Sequence, residues 1–355
     1  MLAVGSTIGI LGGGQLGRML AVPATQFGYR VVTYSPEADS VAAELSADWI
    51  AKPWDDAEAM ADFAARCDVV TWEFENVPTA PLNAIADKLV TPVRALEVAQ
   101  DRLLEKQFVE ELGGRPAPYV ALEEHDDLRG ALERIGTPGI VKTRRDGYDG
   151  KGQWRIDAGT SLSSLNLPMD PLIYEGFVVF EAEFSVILVR GKDGEVRFYD
   201  SAANEHRSGI LARSTLPPPA AIAGQIDEAR ALARKIADAL QYVGVLTLEF
   251  FATADGPVFN EMAPRVHNSG HWSIEGAVAS QFENHIRAIC GLPLGDTALT
   301  AARIVMDNII GDGFADATSC LGTRDCHLHL YGKSEAREGR KMGHVTRLER
   351  NGAGA

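Results

Sequence analysis

Little in this 355-residue sequence suits a membrane, a metal-bound cysteine cluster or a nucleic acid. No run approaches the roughly 18 apolar residues that span a bilayer, and the amino terminus lacks the basic, apolar and small-residue succession of an export signal. A cytoplasmic protein without a membrane partner is expected. Cysteine is scarce: Cys67, Cys290, Cys320 and Cys326 are scattered with no CxxC pair, so reduced thiols and no zinc site are expected. Cys326-His327-Leu328-His329 alternates as a strand does. Basic residues are outnumbered, 34 Lys and Arg against 49 Asp and Glu, for a net charge of −15. That balance argues against a nucleic-acid partner, and an anionic substrate would have to be held by a local cluster of basic groups. The remainder, 46% hydrophobic and 23% charged, is an ordinary globular composition. Its length calls for about two to four subdomains.

The most informative stretch runs from Val243 to Trp272. Leu246, Leu248 and Phe250 alternate with Thr247, Glu249 and Phe251, and a second extended run, Pro257 to Met262, follows Ala254-Asp255-Gly256. Asp-Gly between two such runs signals a hairpin. The pairing sets Glu249 opposite Glu261, or one residue off, with Cβ atoms roughly 5 Å apart. Two carboxylates so placed repel by about 4 kcal/mol at 4 Å and an effective dielectric near 20. A hard divalent cation compensates them naturally; solvated glutamates on an exposed face are the plainer alternative. Asn260 and the polar run Arg265, His267, Asn268, Ser269, His271 favour the metal.

Thr7 to Leu11 reads as a strand, and Gly12-Gly13-Gly14-Gln15-Leu16-Gly17 opens a helix with Leu16, Met19 and Leu20 on one face. The glycines permit close approach of a phosphate to the helix amino end, and Pro23 should end or kink that helix early. Glu37 follows about 20 residues on, past a strand at Arg30 to Ser35, as in a dinucleotide-binding unit. Asp68 to Trp72 reads as a third strand, with Glu73 and Asn76 beyond its carboxyl end, where ligands lie in doubly wound sheets. Asp56 to Arg66, Pro81 to Lys88 and Asp101 to Leu112 are helical in pattern. A second α/β unit follows: helix Asp126 to Ile135, then strand Gly139 to Thr143 carrying Lys142 near its end. The loop Asp146 to Gln153 holds Gly147, Tyr148, Asp149, Gly150, Lys151 and Gly152. Its glycines make it mobile in composition and Lys151 supplies a positive charge, yet it is no Walker loop, since Lys151 precedes glycine. Leu172 to Val178 is extended and leads through Glu183 into a strand, Phe184 to Val189, with a return strand at Val196 to Tyr199. Asn204-Glu205-His206 enters a loop. A long helix follows Pro217-Pro218-Pro219, with Ile226, Ala229, Leu232, Ala233, Ile236, Ala237 and Leu240 at core spacing. Ile274 to Cys290 is helical with Gln281 and Glu283 solvated, strands are expected at Thr300 to Asn308 and His327 to Tyr331, and Arg340-Lys341 sits on a glycine-flanked turn.

The order of these features resembles the ATP-grasp superfamily. GGGQLGRM at Gly12 to Met19, WEFENVP at Trp72 to Pro78, GYDGKGQW at Gly147 to Trp154, NEMAPRVHNSGHW at Asn260 to Trp272 and GRKMGHV at Gly339 to Val345 resemble the motifs of one family within it, the 5-(carboxyamino)imidazole ribonucleotide synthases. The resemblance implies an α/β fold: an N-terminal Rossmann-like βαβ domain (1–104), an ATP-grasp small subdomain with the flap (105–173), a large α+β subdomain with the hairpin (174–295), and a small β-rich C-terminal subdomain (296–355). It implies that Arg102, Lys142, the flap Gly147, Tyr148, Asp149, Gly150, Lys151, Gly152 and Gln153, then Glu175, Gly176, Phe177, Val178, Glu183, His206, Asn260 and Glu261 contact ATP. Phe177 stands where some relatives carry glycine. Glu249 and Glu261 would hold Mg²⁺, or Mn²⁺ in its place. Gly14, Gln15, Leu16, Glu73, Asn76, Arg265, His267, Asn268, Ser269, Arg340 and Lys341 would receive aminoimidazole ribonucleotide and bicarbonate, with Arg265, His267 and Lys341 catalytic. The family also implies a homodimer.

The implied chemistry is ATP-dependent carboxylation of aminoimidazole ribonucleotide through carboxyphosphate. Another ATP-grasp ligase, such as a formate-dependent ribonucleotide transformylase, would share Glu249 and Glu261 and differ in its acceptor. A nicotinamide-dependent oxidoreductase would use the glycine loop and Glu37 but leaves the two-glutamate hairpin unexplained. A non-catalytic nucleotide sensor would not need Arg265, His267, Asn268 and Lys341 together.

Overall fold

The computed structural model describes residues 1–124, 127–147, 150–162, 165–314 and 317–350. The flap residues Tyr148 and Asp149 lie outside these. Strands β1 (Thr7–Leu11), β2 (Arg30–Ser35), β3 (Asp48–Ala51) and β4 (Val69–Trp72) form a parallel sheet in the order β3-β2-β1-β4. β1, β2 and β4 are almost wholly buried, the pattern of a parallel sheet covered on both faces. β3 was not expected: Asp-Trp-Ile-Ala is a half-exposed edge strand with no period-two signal. Helix α1 (Gln15–Gln26) continues through Pro23, contrary to the expected break. Proline there removes one ladder bond near the helix end, and its ring is buried on the core face. Helix α2 (Ala57–Arg66) starts where Asp56 accepts from the Ala59 amide. Short helices α3 (Thr79–Leu82) and α4 (Arg94–Ala99) lead to α5 (Arg102–Glu111), capped by Asp101.

The second sheet contains β5 (Tyr119–Leu122), β6 (Gly139–Thr143), β7 (Gln153–Ile156) and β8 (Leu172–Gly176) in the antiparallel order β5-β8-β6-β7. Helix α6 (Asp127–Ile135) packs Leu128 and Ala131 onto Val141 and Tyr174.

The third sheet is the largest. Its strands are β9 (Ala182–Arg190), β10 (Val196–Phe198), β11 (Ala203–Arg207), β12 (Ile210–Leu216), β13 (Gly244–Thr253), β14 (Gly256–Ala263), β15 (Arg303–Ile310), β16 (Cys326–Leu330) and β17 (Lys341–Glu349). They run β14-β13-β9-β11-β12-β15-β17-β16, with β10 on β9. Alternation sends Val186, Leu188, Leu246 and Leu248 toward α8 (Ile226–Ala239), which follows the short α7 (Ala220–Ala223). It sends Ile187, Val189 and Val245 toward α10 (Gln281–Cys290), preceded by α9 (Ser273–Gly276). The sheet is thus the wall between two apolar cores.

Three expectations change here. Asn204-Glu205-His206 is the strand β11 and not a loop, because it pairs with both β9 and β12 despite its polar letters. Gln281 is fully buried instead of solvated. Cys320 and Cys326 are disulfide-bonded, their Cα atoms 5.7 Å apart across a separation of six residues, whereas reduced thiols were expected; Cys67 and Cys290 are free and buried.

Candidate active site

The hairpin β13–β14 turns through Ala254-Asp255 and pairs Glu249 directly with Glu261. A bulge between Glu249 and Phe250 re-aims the strand at that point. Both glutamates line the same two cavities, so their carboxyl groups converge. Burial first, then the charge of Glu261, pushes the Glu249 carboxyl up to about 7. Partial compensation comes from Arg102, whose Nη1 lies 3.3 Å from Glu261 Oε2. His267 Nε2 lies 3.5 Å from Glu249 Oε1. Two facing oxygen donors, buried and mutually repelling, fit a hard divalent cation.

One cavity, of about 460 Å³, opens beside the hairpin. Arg102, Lys142, Gly150, Gln153, Glu175, Gly176, Phe177, Val178, Glu183, His206, Asn260 and Glu261 all line it. Lys142 Nζ donates to Glu175 Oε2 at 2.9 Å. His206 Nδ1 is 2.9 Å from Glu183 Oε2; burial opposes its protonation, yet Glu183 and Glu249 together raise its pKa. Gly147 and Lys151 line the neighbouring cavity, of about 760 Å³, while Gly152 lines neither.

That larger cavity also takes Gln15, Leu16, Glu73, Asn76, Arg265, Asn268, Arg340 and Lys341. Arg265 is bonded through Nε to Glu75 Oε2 and through Nη1 to the Val266 carbonyl at 3.0 Å. Burial alone would raise Glu75; the Arg265 charge outweighs it and holds the carboxyl below its usual range. His267 is depressed well below the ordinary imidazole value, by burial first and then by Arg265 and Lys341. Its Nδ1 accepts from the Ser269 amide at 3.3 Å and faces Ser269 Oγ at 2.8 Å, so the ring proton sits on Nε2. Ser269 is fully buried behind His267, outside either cavity.

The glycine loop is arranged differently from the expectation of a phosphate cradle. The amides of Gly14 and Gly17 donate to the Glu73 carboxylate at 2.6 and 2.9 Å. A Cβ on Gly12, where φ is +113°, would meet Glu73 Cγ at 2.4 Å, so glycine is needed for the carboxylate to enter. An internal carboxyl group thus occupies the helix terminus, its pKa raised by burial, which outweighs the two amide hydrogen bonds.

Sequence reasoning missed several residues. Gln281 Oε1 accepts from the His267 amide at 2.9 Å while its Nε2 donates to the His267 carbonyl at 2.6 Å. Lys333 and Arg337 join Arg340 and Lys341 on the cavity wall. On α5, Lys106 and Glu105 are buried with Arg102. Their charged letters look like a solvated helix face, and no local pattern marks them as internal.

Arg102, Glu249, Glu261, His267, Asn268 and Lys341 line both cavities. The two chambers meet at the two-glutamate hairpin.

Three family models match successive parts of the chain: the ribonucleotide synthetase preATP-grasp domain over residues 5–100, the ATP-grasp domain over 107–282, and the phosphoribosylaminoimidazole carboxylase C-terminal domain over 304–354. The chain is 49% identical to the N5-carboxyaminoimidazole ribonucleotide synthase of Brucella melitensis biotype 1, over 98% of both chains. It superposes on an ADP complex of an N5-carboxyaminoimidazole ribonucleotide synthetase with a TM-score of 0.93 and 39% identity, covering 99% of this chain and 94% of that one. It superposes on the Aspergillus clavatus synthase in complex with ADP and 5-aminoimidazole ribonucleotide with a TM-score of 0.87 and 30% identity, covering 97% and 94%. With three domain models in order and close relatives matched end to end, the chain belongs to the N5-carboxyaminoimidazole ribonucleotide synthase family of ATP-grasp ligases.

Proposed function

We propose that the protein carboxylates 5-aminoimidazole ribonucleotide on its exocyclic amine, using ATP and bicarbonate and releasing ADP and phosphate, in purine biosynthesis. The observation that carries this reading is the junction of two cavities at Glu249, Glu261, His267, Asn268 and Lys341. Nucleotide in the smaller chamber would present its γ-phosphate at that junction, and ribonucleotide in the larger one its amine.

A bicarbonate oxygen attacks the γ-phosphorus and ADP leaves; the amine nitrogen then attacks the carboxyl carbon of carboxyphosphate, and phosphate leaves. Such transfer asks the protein for positioning and charge neutralisation. Lys142 and Lys151 offset the triphosphate charge, and Gly176 to Val178 meet the adenine while Glu183 meets the ribose. Arg265, its fork fixed by Glu75 and the Val266 carbonyl, clamps the bicarbonate-derived oxygens. His267, neutral with its proton on Nε2, donates into the junction and does not draw a proton there. Lys341 handles the proton shed by the amine. Lys333, Arg337 and Arg340 form the basic wall for the ribonucleotide phosphate, a task the Glu73-filled loop leaves to them. Glu249 and Glu261 would hold Mg²⁺, or Mn²⁺ in its place; bound there, the cation supplies neutralisation of the phosphate oxygens. The flap from Asp146 to Gln153 would exclude water, as labile carboxyphosphate requires. A homodimer rests on the family resemblance alone. A cytoplasmic setting fits the soluble-type composition, and no described helix is long and apolar enough to cross a membrane.

The test is ADP and carboxylated product measured with each substrate omitted in turn. ADP formation should require bicarbonate and rise steeply with aminoimidazole ribonucleotide, with the two products in equal amount. K341M should still bind ATP and make no carboxylated product. Turnover indifferent to the ribonucleotide, or normal turnover in K341M, overturns the respective assignment.

A further inference from the structure

Lys106 is an anomaly in a soluble protein: a lysine with no exposed surface. It sits one helical turn past Arg102 on α5, and its Nζ lies 3.2 Å from Glu175 Oε1. The other oxygen of that carboxylate, Oε2, accepts from Lys142 Nζ at 2.9 Å. One buried carboxylate is therefore split between two ammonium groups, on opposite oxygens. Glu105, the next acid on the helix, does not serve as the counter-charge. Its Oε1 takes the Met262 amide at 2.6 Å, and burial above all pushes its carboxyl up to about 8. Burial opposes ionisation of Glu175, yet the charges of Lys106 and Lys142, the Lys142 hydrogen bond and the charge of Arg102 together hold it at about 2.

The two lysines differ in what they can reach. Lys142 lines the smaller cavity together with Glu175, whereas Lys106 lines neither cavity. In the proposed function, on which this inference rests, Lys142 must turn from Glu175 to a phosphate. A carboxylate left buried and unpaired costs several kcal/mol, so with one lysine alone the turn would be opposed. We propose that Lys106 is the resident counter-ion of Glu175, a positioning residue that touches no substrate and frees the Lys142 ammonium to bind nucleotide phosphate.

The test is calorimetric binding of ATP, and of adenosine as a phosphate-free probe, with bicarbonate and ribonucleotide absent. K106M should bind ATP about tenfold more weakly, since Lys142 is then the one ammonium within ion-pair distance of Glu175, with Arg102 acting on it only from farther off. Its affinity for adenosine should match wild type, which a merely distorted pocket would not allow. In an E175Q background, where no buried carboxylate needs a counter-ion, adding K106M should change ATP affinity by less than about threefold. If K106M alone fails to fold, the comparison of E175Q with K106M/E175Q still decides the matter. Wild-type ATP affinity in K106M, equal loss for adenosine, or a tenfold loss caused by K106M within the E175Q background overturns the proposal. Wild type that binds ATP yet makes no carboxylated product defeats the proposed function and leaves this test standing.

Discussion

The glycine loop at the start of α1 and the hairpin β13–β14 both look, as sequence, like places for a charged ligand. The fold treats them oppositely. At the loop, Glu73 supplies the carboxyl group, and two amides are satisfied from within. At the hairpin, two carboxylates face each other with Arg102 and a neutral His267 close by and the charges of His206 and Lys341 farther off, and burial with the facing Glu261 still drives the Glu249 carboxyl up to about 7. A motif states which ligand the residues could take; whether the site is open depends on what the rest of the chain delivers to it. Here Glu73 arrives from the end of β4, 59 residues beyond Gly14.

The largest effect that would break this contrast is at the hairpin. E249Q/E261Q should lower kcat by about 10³-fold, from lost positioning of phosphate charge, while Tm without ligands stays level or rises because a buried repulsion is gone. A fall in Tm would mean that the two carboxylates stabilise each other. The loop should behave in reverse. E73A strands the buried Gly17 amide, at about 1–3 kcal/mol, and the half-buried Gly14 amide at less, so its Tm should drop by several degrees. An unchanged Tm would show that water serves the loop equally well.

Much of this was legible beforehand because it is periodic. Alternation around Glu249 and Glu261 set their register to within one residue, which the structure resolves as direct pairing, and helical spacing marked the buried face of α8, where Ala229, Ala233, Ile236 and Ala237 are wholly covered. What escaped notice are residues whose role is set by distant partners. Gln281 resembles any polar residue in a first helical turn, yet it grips both sides of the His267 peptide. Polar β11 becomes a strand only because β9 and β12 flank it. β17 begins in a basic turn that reads as surface, and Lys106 is hidden in a charged helix.

A smaller effect sharpens the hairpin through pH. Burial and the facing Glu261 hold the Glu249 carboxyl at about 7 in the folded protein, above the 4.5 of an ordinary glutamate. The ligand-free protein should therefore be most stable below about 4.5 at this group and lose that contribution as pH rises through about 7, by roughly 3 kcal/mol at most. E249Q should flatten the slope in a Tm-against-pH series, and a slope that survives the substitution assigns it elsewhere. The smallest change expected is in Q281L. Loss of the grip on His267 should cost about tenfold in kcat/KM for bicarbonate, with KM for ATP little altered; equal damage to both would make Gln281 a general packing residue.

The most direct measurement is titration of the ADP-bound protein with Mn²⁺, followed by electron paramagnetic resonance. The facing glutamates predict a bound ion in wild type that tightens as pH rises through about 7 and is lost in E249Q/E261Q. An ion held equally well by the double variant would contradict the account.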